Sequence, residues 1–115
     1  MFLKDYWYVA AWSNEVTAEP LARMFLGEHV VLYRTPGGKV VALEDRCCHR
    51  QLPLSMGRVL GERLQCGYHG LVFAPDGACV EVPGQSTMPP GARVRSYPAT
   101  ERWGWVWIWM GQADA

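Results

Sequence analysis

Where apolar and polar positions along this chain are regular at all, they follow the period of a strand and not that of a helix. "YWYVAAW" (6–12) is short, aromatic and β-branched and predicts a strand. "HVVLYR", the turn "TPGG" and "KVVALE" form a hairpin pattern, with Pro36, Gly37 and Gly38 supplying the turn chemistry. A second hairpin pattern is "GLVFA", then Pro75-Asp76-Gly77, then "ACVEV". No window carries an apolar stripe of helical period over a helix's length. "GRVLGER" is the one place where a short turn of helix is expected, interrupted by Gly57 and Gly61. Val82 to Pro98, with four prolines and two glycines, predicts an ordered, irregular loop. Short strands separated by turn signals predict an all-β domain, a small antiparallel sandwich or barrel, over residues 1–115.

The last strand has an unusual pattern. "WGWVWIWM" places Trp103, Trp105, Trp107 and Trp109 on one face and Val106, Ile108 and Met110 on the other. Both faces are apolar, as in a core strand covered on both sides. The alternative is that one face waits for another domain or subunit.

Composition narrows the class of function. Lys plus Arg balance Asp plus Glu at 11 each, so nothing draws the chain toward nucleic acid or an anionic membrane. No apolar run approaches the ~18 residues of a spanning helix. The start, "MFLKDYWYVAAW", lacks the pattern of a signal peptide. A cytoplasmic location is therefore expected, where four cysteines serve as metal ligands or core thiols more often than as disulfides.

Two of those cysteines fall in a recognisable spacing. Cys47 and His49 form C-x-H, and Cys66 and His69 form C-x-x-H, with sixteen residues between His49 and Cys66. Pro53 follows the first pair, and Gly67 and Gly70 lie in and after the second, so both sit in tight loops. Four such ligands fit a structural zinc ion or a two-iron, two-sulfur cluster in which thiolates hold one iron and imidazoles the other. Zinc fingers usually group Cys with Cys and His with His. The order Cys, His, Cys, His suits two irons, each drawing one ligand from each loop.

The motif "CCHR" followed by "CGYHG" closely resembles the Rieske family, over nearly the whole chain. The resemblance implies one Rieske-type [2Fe-2S] cluster, held by Cys47, His49, Cys66 and His69 in a small two-loop subdomain of a β-sandwich. Cys48 then points away from the irons as a small apolar residue, Cys79 belongs to the core, and His29 at a strand start is no ligand. Neutral imidazoles replacing two thiolates ease reduction, histidine can couple protons to the electron, and loop amides can tune the sulfides.

Respiratory members of the family carry an extra disulfide between the loops. The corresponding positions here are Leu52 and Tyr68, so that branch is excluded. "WYVAAWSNEV", "CCHRQLPLSMGRV", "LQCGYHGLVFAPDGACVEVPGQ" and "WGWVWIWMG" resemble the N-terminal domain of vanillate demethylase-like oxygenase components. That resemblance implies an NAD(P)H-dependent flavin or iron-sulfur reductase as donor. It also implies a catalytic domain, in the same or a neighbouring subunit, that hydroxylates or demethylates an aromatic substrate. The mononuclear iron of such oxygenases takes two histidines and a carboxylate. His29 is the one histidine left over, so these 115 residues are expected to pass electrons and not to oxygenate. The domain that would follow is expected to cover the tryptophan face. His49 and His69 would present the exit for the electron, and Arg50 is either a docking residue for a partner carboxylate or a solvated charge. The alternatives are a stand-alone Rieske ferredoxin and, more remotely, a structural zinc module.

Overall fold

The computed structural model describes residues 6–47, 53–67, 70–84 and 92–111. Its described strands are β1 (Trp7–Trp12), β2 (Leu21–Phe25), β3 (Glu28–Arg34), β4 (Val40–Glu44), β5 (Arg58–Leu60), β6 (Arg63–Gln65), β7 (Val72–Phe73), β8 (Cys79–Glu81), β9 (Ser96–Tyr97), β10 (Ala99–Arg102) and β11 (Trp105–Trp109). They form three antiparallel sheets, ordered β1-β11-β10, β2-β3-β4-β9 and β5-β6-β7-β8. Among the described residues no helix is long and apolar enough to cross a membrane.

The second sheet is the middle of the molecule, because its central hairpin is apolar on both faces. Val31, Tyr33, Val41 and Leu43 point into a core shared with the third sheet, against Leu64, Leu71, Phe73 and Cys79. Their neighbours Val30, Leu32, Val40 and Ala42 point the other way, against Val106, Ile108 and Met110 of the first sheet. Strand alternation converts one hairpin into the floor of two cores. Its five-residue connection closes through Thr35 and Lys39, whose backbone groups bond at 2.8 Å.

Charged pins join the layers. Arg34, at the end of β3, donates from both terminal nitrogens to the Glu101 carboxylate on β10, each at 2.9 Å. The same guanidinium donates to the carbonyls of Ser13, Val16 and Gly38. Arg95 donates to Glu28 and to the carbonyls of Met110 and Gly111, and so fixes where the chain leaves β11.

Both predicted hairpins are present, as β3–β4 and β7–β8. "GRVLGER" is not helical. It is the hairpin β5–β6, in which Leu60 pairs with Arg63 across Gly61 and Glu62. Gly61 has a φ of +63°, which suits the first central position of a two-residue hairpin turn. Nor is the stretch from Val82 to Pro98 wholly irregular: Arg93 bridges Ala78, and β9 pairs with β4 at Ala42 and Leu43. The tryptophan strand is a central strand, but it is covered on one face. Val106, Ile108 and Met110 are fully buried, while Trp105, Trp107 and Trp109 are half-buried. Trp103 lies outside the strand, in the β10–β11 turn.

Candidate metal centre

The first loop leaves β4 at Glu44. Its start is held by Asp45, whose backbone N–H donates to the His29 carbonyl at 2.9 Å. The Asp45 carboxylate accepts two hydrogen bonds from Ser55, from the backbone N–H and from the hydroxyl, both at 2.7 Å. Positions 45 and 55 are therefore clasped together, and Cys47 lies in the segment between them. After Pro53, a single 3-10 turn (Leu54–Met56) buries Leu54 in the core and leaves Met56 77 % exposed.

The second loop leaves β6 at Cys66 and returns at Leu71. The Cys66 N–H donates to the Leu71 carbonyl at 2.7 Å, which closes the loop at its root. Gly70 supplies the reversal with a φ of +75°. A side-chain chain supports the same loop: Arg58 Nε donates to Gln65 Oε1, and Gln65 Nε2 donates to the Gly70 carbonyl.

The two loops meet backbone to backbone. A Cβ built on Gly57 would stand 1.8 Å from the Gln65 carbonyl oxygen, and one built on Gly67 would stand 2.8 Å from the Met56 carbonyl oxygen. No side chain fits between them, so glycine at both positions is what lets the loop roots touch. Beneath this contact, Cys47 and Cys66 are each 3 % exposed and belong to one apolar cluster with Leu54, Leu64, Leu71 and Phe73. Nearby, Tyr33 donates to the Glu62 carbonyl at 2.8 Å, and burial pushes its phenol up to about 12. The β5–β6 tip is thus tied to the middle sheet.

Cys47, Cys66 and Cys79 are thiols and not disulfides among the described residues. One buried cysteine from each of two loops is a donor set that a metal centre uses once the thiols are deprotonated. The structure thus places Cys47 and Cys66 in the same buried cluster, which also holds Cys79. His49 and His69 lie outside the described residues, as do Cys48, Arg50, Leu52 and Tyr68. Cys79 is buried, and burial raises its thiol, as fits a core residue. His29 is exposed on β3, opposite Met24 of β2. Asp45 and Ser55 were not legible as a pair in the sequence, because nothing local connects two residues at opposite ends of a loop.

A family model described as the Rieske [2Fe-2S] domain matches residues 6–98. The chain is 56 % identical over 111 residues to a putative toluene-4-sulfonate monooxygenase system iron-sulfur subunit, TsaM2, of Comamonas testosteroni. That match covers 96 % of this chain and 32 % of the relative. It is 42 % identical over 114 residues to the vanillate O-demethylase oxygenase subunit of a Pseudomonas species, covering 99 % of this chain and 32 % of that one. The crystal structure of dicamba monooxygenase superimposes with a TM-score of 0.93 at 44 % identity, over 98 % of this chain and 36 % of the other. The chain therefore spans about a third of the length of the curated relatives it matches. The match of the family model to residues 6–98, with relatives 56 % and 42 % identical over nearly the whole chain, makes this chain a member of the Rieske [2Fe-2S] domain family, with that family's two-iron, two-sulfur cofactor.

Proposed function

We propose that this chain is the electron-entry domain of a Rieske oxygenase component, serving an enzyme that hydroxylates or demethylates an aromatic substrate in the cytoplasm. Cys47 and Cys66 hold one iron and His49 and His69 the other. When bound, the cluster supplies a one-electron store. The observation that carries this reading is the burial of Cys47 and Cys66, one from each loop, in a single apolar cluster. It is supported by the likeness to oxygenase subunits over nearly the full chain.

The chain's own residues build the setting. The Asp45–Ser55 clasp and the Cys66–Leu71 bond fix the two loop roots. The cluster of Leu54, Leu64, Leu71 and Phe73 keeps water from the thiolate side. That leaves the histidine side to face a donor, a nicotinamide-dependent flavin or iron-sulfur reductase. Met56, exposed beside the second loop, offers that donor an apolar contact.

Low-temperature electron paramagnetic resonance after reduction tests the assignment, together with iron and acid-labile sulfide content. Wild type and Cys48→Ser are expected to give the same Rieske-type signal, and Cys66→Ser and His69→Ala to lose it. A protein containing zinc without iron, or unchanged visible absorption in Cys66→Ser, would overturn the reading.

A further inference from the structure

The first cluster loop leaves the middle sheet through a charged corner. Glu44, the last residue of β4, donates its backbone N–H to the Arg95 carbonyl at 2.8 Å. The Arg95 N–H returns to Glu44 Oε1 at 3.0 Å. The other carboxylate oxygen, Oε2, accepts from Arg46 Nε at 2.9 Å. The Arg46 N–H donates to the Glu44 carbonyl at 2.8 Å, so both the backbone and the side chain of Arg46 fold back on Glu44. Cys47 is the next residue. The Arg46 and Glu44 side chains are 48 % and 28 % exposed, whereas Cys47 points into the core.

The charge of Arg95 is engaged elsewhere. Its guanidinium donates to Glu28 Oε1 at 3.2 Å and to the Met110 and Gly111 carbonyls, and it lies over the Tyr97 ring. The Tyr97 hydroxyl donates to the same Glu28 oxygen at 2.7 Å. The cation facing the Glu44 carboxylate is therefore Arg46. Stability alone does not account for that pair. A half-exposed ion pair between residues two apart contributes little, and the bonds between Glu44 and Arg95 hold the corner without it. What the pair does is set two opposite charges beside the first thiol ligand, since consecutive Cα atoms lie only about 3.8 Å apart. The Arg95 N–H also keeps the carboxylate in place when Arg46 is altered.

We propose that Glu44 and Arg46 set the reduction potential of the cluster: Glu44 is the anchored negative charge, and Arg46 is the positive charge that it positions just before Cys47. This rests on the reading of Cys47 as a cluster ligand. One electron accepted from the reductase turns one ferric ion ferrous and adds one negative charge to the site. A nearby carboxylate opposes that charge and a nearby guanidinium favours it. In the pair the two effects largely offset each other, so removing either charge exposes the other. The potential rises when Glu44 loses its charge and falls when Arg46 loses its own. Neither residue ligates iron or carries the electron. Both act through their field, and because both side chains reach water, salt screens that field.

A redox titration followed by electron paramagnetic resonance tests this, on the polypeptide as its own cells produce it, with thermal melting alongside. Glu44→Gln keeps an acceptor for the Arg95 N–H and should raise the midpoint potential. Arg46→Gln should lower it, Arg46→Lys should restore it toward wild type, and the double variant Glu44→Gln, Arg46→Gln should return close to the wild-type value. Both single shifts should shrink between about 0.01 M and 1 M salt, as the screening length falls from about 30 Å to about 3 Å. Glu101→Gln removes a paired carboxylate at the opposite end of the β3–β4 hairpin and should leave the potential where it is. Unmoved potentials overturn the proposal, whatever happens to the melting temperature. So do shifts of the same sign in the two single variants, shifts that persist in high salt, or an equal shift in Glu101→Gln. Arg46 is on the surface, so Arg46→Gln decides the matter even where Glu44→Gln folds poorly. A wild type without a Rieske-type signal would refute the cluster assignment itself, whereas a normal signal with an unmoved potential refutes only the role of this pair.

Discussion

Gly57→Ala is the sharpest test of how the two loops are held. The added Cβ would lie 1.8 Å from the Gln65 carbonyl oxygen, whereas ordinary contact begins near 3.4 Å. The obstruction is backbone, so the loop roots must part by roughly 1.5 Å, a displacement no rotamer change relieves. Overpacking of this kind costs about 3 kcal/mol. For a chain of this length, each kcal/mol is worth about 4 °C in melting temperature, so a fall of roughly 12 °C is expected. Metal ligands are placed to within about 0.2 Å, so a shift several times larger should also lower cluster occupancy. Gly61→Ala is the matched control. Its φ is +63°, but nothing lies within 4 Å of its Cβ, so only backbone strain of about 1 kcal/mol remains, or roughly 4 °C. Thermal melting and iron content of both variants, reconstituted side by side, decide the matter. Equal melting temperatures with full cluster in both would refute the contact between the loop roots.

Asp45→Ala should speed cluster loss to a chelator and cost about 2 kcal/mol, because the Ser55 N–H and hydroxyl both lose their acceptor. Ser55→Ala removes one bond only, and a larger effect for it than for Asp45→Ala would contradict the clasp. The Arg34 hydrogen bond holds the Glu101 carboxyl below its ordinary value of 4.5. That contribution is complete above pH 4.5 and is lost as pH falls through the lower folded value. Acid unfolding of Glu101→Gln should lack this component, and superimposable acid transitions would refute it. Ile108→Ala, fully buried beneath the tryptophan face, should cost about 3 kcal/mol in urea titration.

The sequence revealed the parts of this fold whose signal is local. The β3–β4 hairpin was legible because two apolar runs flank a Pro-Gly-Gly turn, and the thiol pair because its spacing is itself the signal. β2 was not. Its burial alternates, but Arg23 lies on the half-buried face, reaching back to Glu15, and Met24 on the exposed one, so polarity does not follow the alternation. β5 and β6 are three residues each, too short to show a period, and Gly61 followed by Glu62 was their one readable mark. The contact of Gly57 with Gln65 follows from the register of that hairpin, in which Arg58 pairs with Gln65, and so was no more legible than the hairpin itself. The tryptophan strand was read as a core strand, which holds for its Val106, Ile108 and Met110 face. Whether its second face was covered depended on chain pairing and not on composition.

The pairing of β1 with β11 also sets an order of events during synthesis. Within this domain β1 is the neighbour of β11, while the β3–β4 and β5–β6–β7–β8 pairings join strands made in succession. At about 10 residues per second, Trp7 and Trp12 wait roughly 10 s on the ribosome for Trp105 and Trp109 to emerge. The thiol-bearing loops can take shape in that interval, before the tryptophan sheet exists. During it the nascent chain shows two unpaired tryptophans, the kind of sticky segment that holding chaperones bind.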